Sequence, residues 1–191
     1  MTHRYKLVAI VGSTSATSRT KALAEAIVAA LQNHVELDVE YVELAALWRD
    51  LGGAVHTDEL GPAAASALAA IESSDVIVAA SPVYKGSYTG LFKHLIDFLH
   101  PEALVGRPVL LAATGGSDRH ALSVDHQLRT LFAFFRAYTV PSAVYAAEAD
   151  FDGYAIKSTP LATRVREAAG QAALLLASTG ADRLPALRAA A

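Results

Sequence analysis

The sequence predicts an α/β domain built on a doubly wound, five-stranded parallel sheet of order 2-1-3-4-5. Three observations carry this. Continuous apolar runs recur at 6–11 (KLVAIV), 75–81 (DVIVAAS) and 107–114 (RPVLLAAT), as parallel strands covered on both faces require. Stretches of helical spacing separate the strands. Each of these three runs ends in hydroxyl- or glycine-rich residues, and such a sheet opens its ligand crevice at the carboxyl ends of its strands.

The elements follow in order. KLVAIV is the first strand. Residues 19–32 place Leu23, Ile27, Ala30 and Leu31 on one helical face. VELDVEYVEL (35–44) alternates, which marks a strand with one exposed face at the sheet edge. Gly61-Pro62 opens an alanine-rich helix over 62–72. DVIVAAS is the next buried strand, and a helix over 88–99 is stopped by Pro101. RPVLLAAT is followed by a long helix over 118–136. TVPSAVYAA (139–147) is the fifth strand, and Pro141 places it toward an edge. The last helix starts at Ser158-Thr159-Pro160, aligns Leu161, Val165, Ala168, Ala172, Leu175 and Leu176, and stops at Gly180. The first crossover goes to one face of the sheet and the rest to the other. Residues 1–180 thus form a single flavodoxin-like domain, with 181–191 as a loose tail.

Composition narrows the function. With 191 residues and 53% hydrophobic content, the chain has ample material for one core. A net charge of −3 carries no nucleic-acid footprint and lacks the heavy acidity of a charge-steered electron carrier. The absence of cysteine removes disulfides, thiolate zinc sites and thiol nucleophiles, and is compatible with a reducing compartment. The run Leu7–Val11 is too short for a signal-peptide core of about 7–15 residues. No run approaches the roughly 20 residues of a membrane span. The sequence reads as a cytoplasmic, soluble enzyme or binding domain.

Three loops converge at the crevice. GSTSATSRT (12–20) supplies many hydroxyls and the forked cation of Arg19 at a helix start, where N–H groups and the helix dipole favour an anion such as a phosphomonoester. It lacks both the GKS/GKT ending of a triphosphate loop and the G-x-G-x-x-G of a dinucleotide fold. An ordinary Ser/Thr-rich capped turn has the same composition. In SPVYKGSYTG, the backbone of Tyr84-Lys85-Gly86-Ser87 suits the edge of a planar heterocycle, and Gly86 permits close approach. The plain alternative is a packed Tyr84, a solvated Lys85 and a helix-capping Ser87. In ATGGSDRH (113–120), Gly115-Gly116 lets main chain press on a ring, and Ser117 or Asp118 would cap the next helix. A neutral His120 in the first helical turn is placed to meet a ligand.

GSTSATSRTKALAEAI, SPVYKGSYTGLFKHLIDFL and ATGGSDRHALSVDHQLRTLFAFF together resemble the NAD(P)H-dependent FMN reductases. The likeness covers roughly residues 5–150 and is greatest to the flavin-supplying component of two-component alkanesulfonate and methanesulfonate (methanesulfinate) monooxygenases. It implies a flavodoxin-like fold, FMN with NADPH or NADH, a homodimer or homotetramer, and delivery of reduced flavin to a separate FMN-dependent monooxygenase. By position, the resemblance assigns Ser13, Ser18, Arg19 and Thr20 to the FMN phosphate. It assigns Pro82, Val83, Tyr84, Lys85, Gly86 and Ser87 to the isoalloxazine, and Gly115, Gly116 and Ser117 to its other side.

In the helix expected over 118–136, Val124, Leu128, Leu131, Phe132 and Phe135 form one apolar stripe. His126 points about 200° away from Leu128 at 100° per residue. Leu122 and Ala133 lie near His126, and Phe134 is also off the stripe. A helix apolar on two sides needs a second partner, which suggests an oligomer interface. Resembling reductases carry an inserted residue here, usually Tyr, that forms a π-bulge at a tetramer interface. DHQL places His126 at that position, as a gating or interface residue. A surface histidine on a regular helix is the plain alternative. The other histidines show no metal-ligand spacing.

The expected reaction is hydride transfer from a nicotinamide to FMN, with no side chain needed as acid or base. An FMN-prosthetic reductase of quinones, azo compounds or chromate, a non-enzymatic flavodoxin-type carrier, and a module for another phosphorylated ligand are the alternatives.

Overall fold

The computed structural model describes residues 4–189, with side chains as far as residue 179. Strand β1 (Tyr5–Val11) leads through α1 (Arg19–Gln32) to β2 (Leu37–Glu43). Then come α2 (Leu44–Leu51), α3 (Pro62–Ser73), β3 (Val76–Pro82), α4 (Gly90–Asp97) and β4 (Pro108–Gly115). The chain continues through α5 (Arg129–Phe134), β5 (Tyr138–Thr139) and β6 (Val144–Ala147). It ends with the hairpin β7 (Phe151–Asp152) and β8 (Ala155–Ile156) and α6 (Thr159–Ala189).

The sheet runs β2-β1-β3-β4-β5, all parallel, with β6 also pairing β4. This is the flavodoxin-like order. Strand alternation gives each face its own core. Leu7, Ala9 and Val11 pack with Leu23 and Ile27 of α1 and Val165 and Ala168 of α6. Val8 and Ile10 pack with Ile71 of α3, Phe92 of α4 and Phe132 of α5. The last helix therefore returns to the face of α1 instead of joining the others.

Four expectations need correction. Helix α2 lies directly after β2, where the alternating run extended through Leu44. The fifth strand is split. Tyr138 and Thr139 pair with Pro108 and Val109, and pairing resumes only at Val144 with Ala112. Four residues thus oppose two, and the bulge contains Pro141, which has no N–H for the ladder. The helix over 118–136 is broken into a 3₁₀ turn (Asp118–His120), a π turn (Val124–Leu128) and α5. Finally, α6 continues through Gly180 to Ala189, where a stop and a loose tail were expected. The side chains of 180–189, and residues 190–191, lie outside the described residues. Among the described residues, no helix is long and apolar enough to cross a membrane.

The strand ends are tied together beneath the crevice. Gly12 N donates to Ala80 O at 2.7 Å. Thr89 Oγ1 donates to Gly12 O at 2.9 Å, accepts from Phe92 N at 3.2 Å and so caps α4. A Cβ on Gly12 would stand 2.9 Å from the Phe92 ring and 3.1 Å from Ala80 O, so only glycine fits where β1 leaves the sheet.

Candidate functional site

A cleft of about 470 Å³ opens at the carboxyl ends of β1, β3, β4 and β6. That size suits a small-molecule site. Of the residues singled out from sequence, Ser13, Ser18, Arg19, Thr20, Pro82, Val83, Tyr84, Gly115 and Gly116 line it. Lys85, Gly86, Ser87, Ser117, His120 and His126 do not.

One end is an anion corner. Ser18 Oγ accepts from Lys21 N at 3.1 Å and caps α1, whose first turn faces the cleft. Ser13 Oγ bonds both the N–H and the carbonyl of Ser15, at 3.1 and 3.2 Å, and shapes the loop. Thr20 is buried, its hydroxyl sharing a 2.6 Å hydrogen bond with Thr114. Arg19 reaches Glu148 Oε1 with Nη2 at 2.9 Å, while its Nε is buried with no partner. A buried donor without an acceptor costs about 1–3 kcal/mol, and an anion here would relieve it. Lys21 is committed elsewhere. It bonds Glu43 at 2.8 Å, which raises its pKa, chiefly through that hydrogen bond.

The second wall is a hairpin. Tyr84 N donates to Ser87 O at 2.7 Å, and Ser87 N donates to Tyr84 O at 3.2 Å. Lys85 (φ 53°) and Gly86 (φ 85°) are both left-handed, as a type I′ hairpin turn requires. Two of the four amides expected to meet a ligand are therefore used within the turn. Those of Lys85 and Gly86 have no partner among the described residues. Ser87 does not cap α4, because Thr89 does. The Ser87 hydroxyl instead donates to Gln127 Oε1 at 3.2 Å, linking the hairpin to the π turn.

The third wall is bare main chain. A Cβ on Gly115 would meet the Tyr145 hydroxyl at 2.2 Å, so a protein contact demands that glycine. A Cβ on Gly116 would meet nothing within 4 Å, although the residue lines the cleft. Tyr145 donates to Ser117 O at 2.6 Å. Burial, aided by the Asp118 and Asp150 carboxylates, pushes its phenol pKa up and keeps it a donor at neutral pH. Ser117 makes no side-chain cap, and His120 ends an exposed 3₁₀ turn away from the cleft.

Sequence reasoning missed the fourth wall, formed by Ala146, Ala147, Glu148, Gly153 and Tyr154. Gly153 was the available signal, since glycine at the first position of a two-residue loop between short strands marks a hairpin. Gly153 has φ 58° and turns β7 into β8.

His126 lies inside the π turn. Arg129 N–H reaches back five residues to Val124 O. Of the expected stripe, Val124, Leu128, Phe132 and Phe135 are buried and Leu131 packs partly buried against them, while Leu122 and Phe134 are each 66% exposed. His126, Gln127, Thr130 and Phe134 border a second groove of about 540 Å³ against Tyr88, Lys93 and Ile96 of the α4 region.

Residues 5–152 match the family described as NADPH-dependent FMN reductase. NADH-dependent FMN reductase SfnF of Pseudomonas fluorescens is 50% identical over 175 residues, covering 92% of this chain and 94% of that protein. FMN reductase (NADPH) of Pseudomonas aeruginosa is 49% identical, with the same coverage. The crystal structure of an oxidoreductase from Corynebacterium diphtheriae superposes with a TM-score of 0.82 at 38% identity, covering 93% of this chain and all of that one.

Proposed function

The chain belongs to the NADPH-dependent FMN reductase family, and from that premise we propose that it supplies reduced FMN to a separate monooxygenase acting on sulfonates or sulfinates. It is an enzyme, an NAD(P)H-dependent FMN reductase. The observation that carries the residue assignments is the cleft itself. It joins a guanidinium with an unpartnered Nε at a helix start to a wall of bare backbone at Gly116.

The residues fit FMN. Arg19, with the first-turn amides of α1 and the nearby hydroxyls, would hold the phosphate. Pro82, Val83, Tyr84 and Gly116 would border the ring, and the Lys85 and Gly86 amides supply unused donors beside it. When bound, FMN supplies the redox chemistry, taking a hydride from the nicotinamide of NADH or NADPH. The chain's part is to fix the stacking geometry and to aim backbone dipoles where negative charge develops. Thr20 and Thr114, bonded to each other on the cleft wall, tie β4 to α1. Relatives of nearly equal identity are named for different nucleotides, so similarity does not choose between NADH and NADPH.

Oxidation of NADH and of NADPH at 340 nm, with FMN titrated from zero, tests the function. We expect a rate that rises and saturates with added FMN, as a dissociable flavin requires. A rate independent of added FMN, in protein that purifies yellow, would assign a prosthetic flavin and favour a quinone or azo acceptor.

The exposed Phe134 and Leu122 beside the π turn support self-association through this face as a homodimer or homotetramer. His126→Ala should then change the oligomer distribution in sedimentation velocity or the steady-state rate. If both are unchanged, His126 is a plain surface residue. A reducing cytoplasm, where both nicotinamides turn over, is the proposed location, and the lack of cysteine is compatible with it.

A further inference from the structure

Arg19 and Glu148 are the only charged side chains on the cleft wall among the described residues, and they are bonded to each other. The wall therefore carries no net charge where a phosphate dianion is to bind. Glu148 opens a 3₁₀ turn, Glu148–Asp150, immediately after β6. Asp150 holds this turn in place: its Oδ2 accepts from Ala147 N at 2.8 Å, and its carbonyl accepts from Lys157 N at 2.9 Å. The Glu148 carboxylate is thus presented to Arg19 by fixed backbone, and Nη2 lies 2.9 Å from Oε1. An incoming phosphate must either take Arg19 from Glu148 or sit beside a like charge. Both routes lower its affinity.

We propose that Glu148 is a built-in competitor for the flavin phosphate, occupying Arg19 in the free protein and weakening FMN so that reduced flavin can leave. This rests on the reading of the cleft as an FMN site. It makes Glu148 a determinant of flavin exchange. The carboxylate side chain is 61% exposed and has solvent to move into when it is displaced. Riboflavin lacks the phosphate and escapes the competition.

Glu148→Gln keeps the size of the side chain and removes its charge. FMN should bind this variant about three- to tenfold more tightly, mostly through slower dissociation. Riboflavin should change less than about twofold. In an Arg19→Ala background the gain from Glu148→Gln should largely vanish, because there is no guanidinium to release. Equal or weaker FMN binding by Glu148→Gln would overturn the proposal and make Glu148 a residue that positions Arg19. A gain that persists in full without Arg19 would overturn it too. Inorganic phosphate separates this proposal from the flavin reading. If wild-type protein binds neither FMN nor riboflavin, the flavin reading falls. The competitor is then still read from the thermal midpoint, which phosphate should raise more in Glu148→Gln than in wild type. Equal stabilisation of the two by phosphate would refute it.

Discussion

Arg107→Ala should lower folding stability by about 3–4 kcal/mol, a fall of roughly 6–14 °C in melting temperature for a chain of this size. Arg107 is 1% exposed and is the largest fully buried side chain among the described residues. No carboxylate among these residues pairs with it. Its guanidinium instead donates to Ile71 O at 3.4 Å, Ser74 Oγ at 3.2 Å and Ala103 O at 3.2 Å. Ile71 lies in the last turn of α3, at the negative end of the dipole, where its carbonyl also accepts from Ser74 N at 3.3 Å and Ser74 Oγ at 2.8 Å. The arginine thus serves as a C-terminal cap from a distant part of the chain, just before β4. Truncation removes this cap and opens a cavity beneath α3. Arg107→Met separates the two effects. It refills most of the volume and removes a buried charge whose Nε is unsatisfied, so it should cost only about 1–2 kcal/mol. Urea denaturation of the three proteins checks this. An alanine variant within about 1 kcal/mol of wild type would mean that the cap contributes little.

Arg107 also marks where the sequence could be read and where it could not. The apolar runs ending at Val11, Ser81 and Thr114 located the buried strands, because strands buried on both faces admit few polar residues. An arginine at the head of such a run looks like a solvated start, and nothing local reveals the helix-end carbonyl 36 residues upstream. Helix α2 was hidden for another reason. Glu43 makes no side-chain cap, and the strand passes into Leu44 without a glycine or proline. Around His126, periodicity identified the buried stripe of Val124, Leu128 and Phe132. Side-chain spacing does not report whether an amide reaches back four residues or five, and it was the resemblance that pointed to the insertion. The cleft walls at 13–20, 82–84 and 115–116 lie on loops directly after buried strands, so those positions were legible. Glu148, Gly153 and Tyr154 follow a strand split by Pro141 and were not, even with the turn glycine at 153 present.

Arg19→Ala should raise the dissociation constant for FMN by about 10- to 100-fold and leave riboflavin within about twofold. A charge-assisted hydrogen bond contributes about 1.5–3 kcal/mol, and each 1.4 kcal/mol is a factor of ten. Only FMN carries the phosphate, so only FMN should register the loss. Gly116→Val is the opposing control. A Cβ there stands in open space on the cleft wall, so the fold should tolerate it, while the added branches occupy volume proposed for the ring. FMN and riboflavin should then weaken together, with melting temperature nearly unchanged. Fluorescence titration of both flavins against both variants gives four numbers with one required pattern. Arg19→Ala must separate the two flavins, and Gly116→Val must not. Equal loss of FMN and riboflavin in Arg19→Ala would move the phosphate away from the start of α1. Unaltered binding in Gly116→Val would move the ring off the Gly115-Gly116 wall.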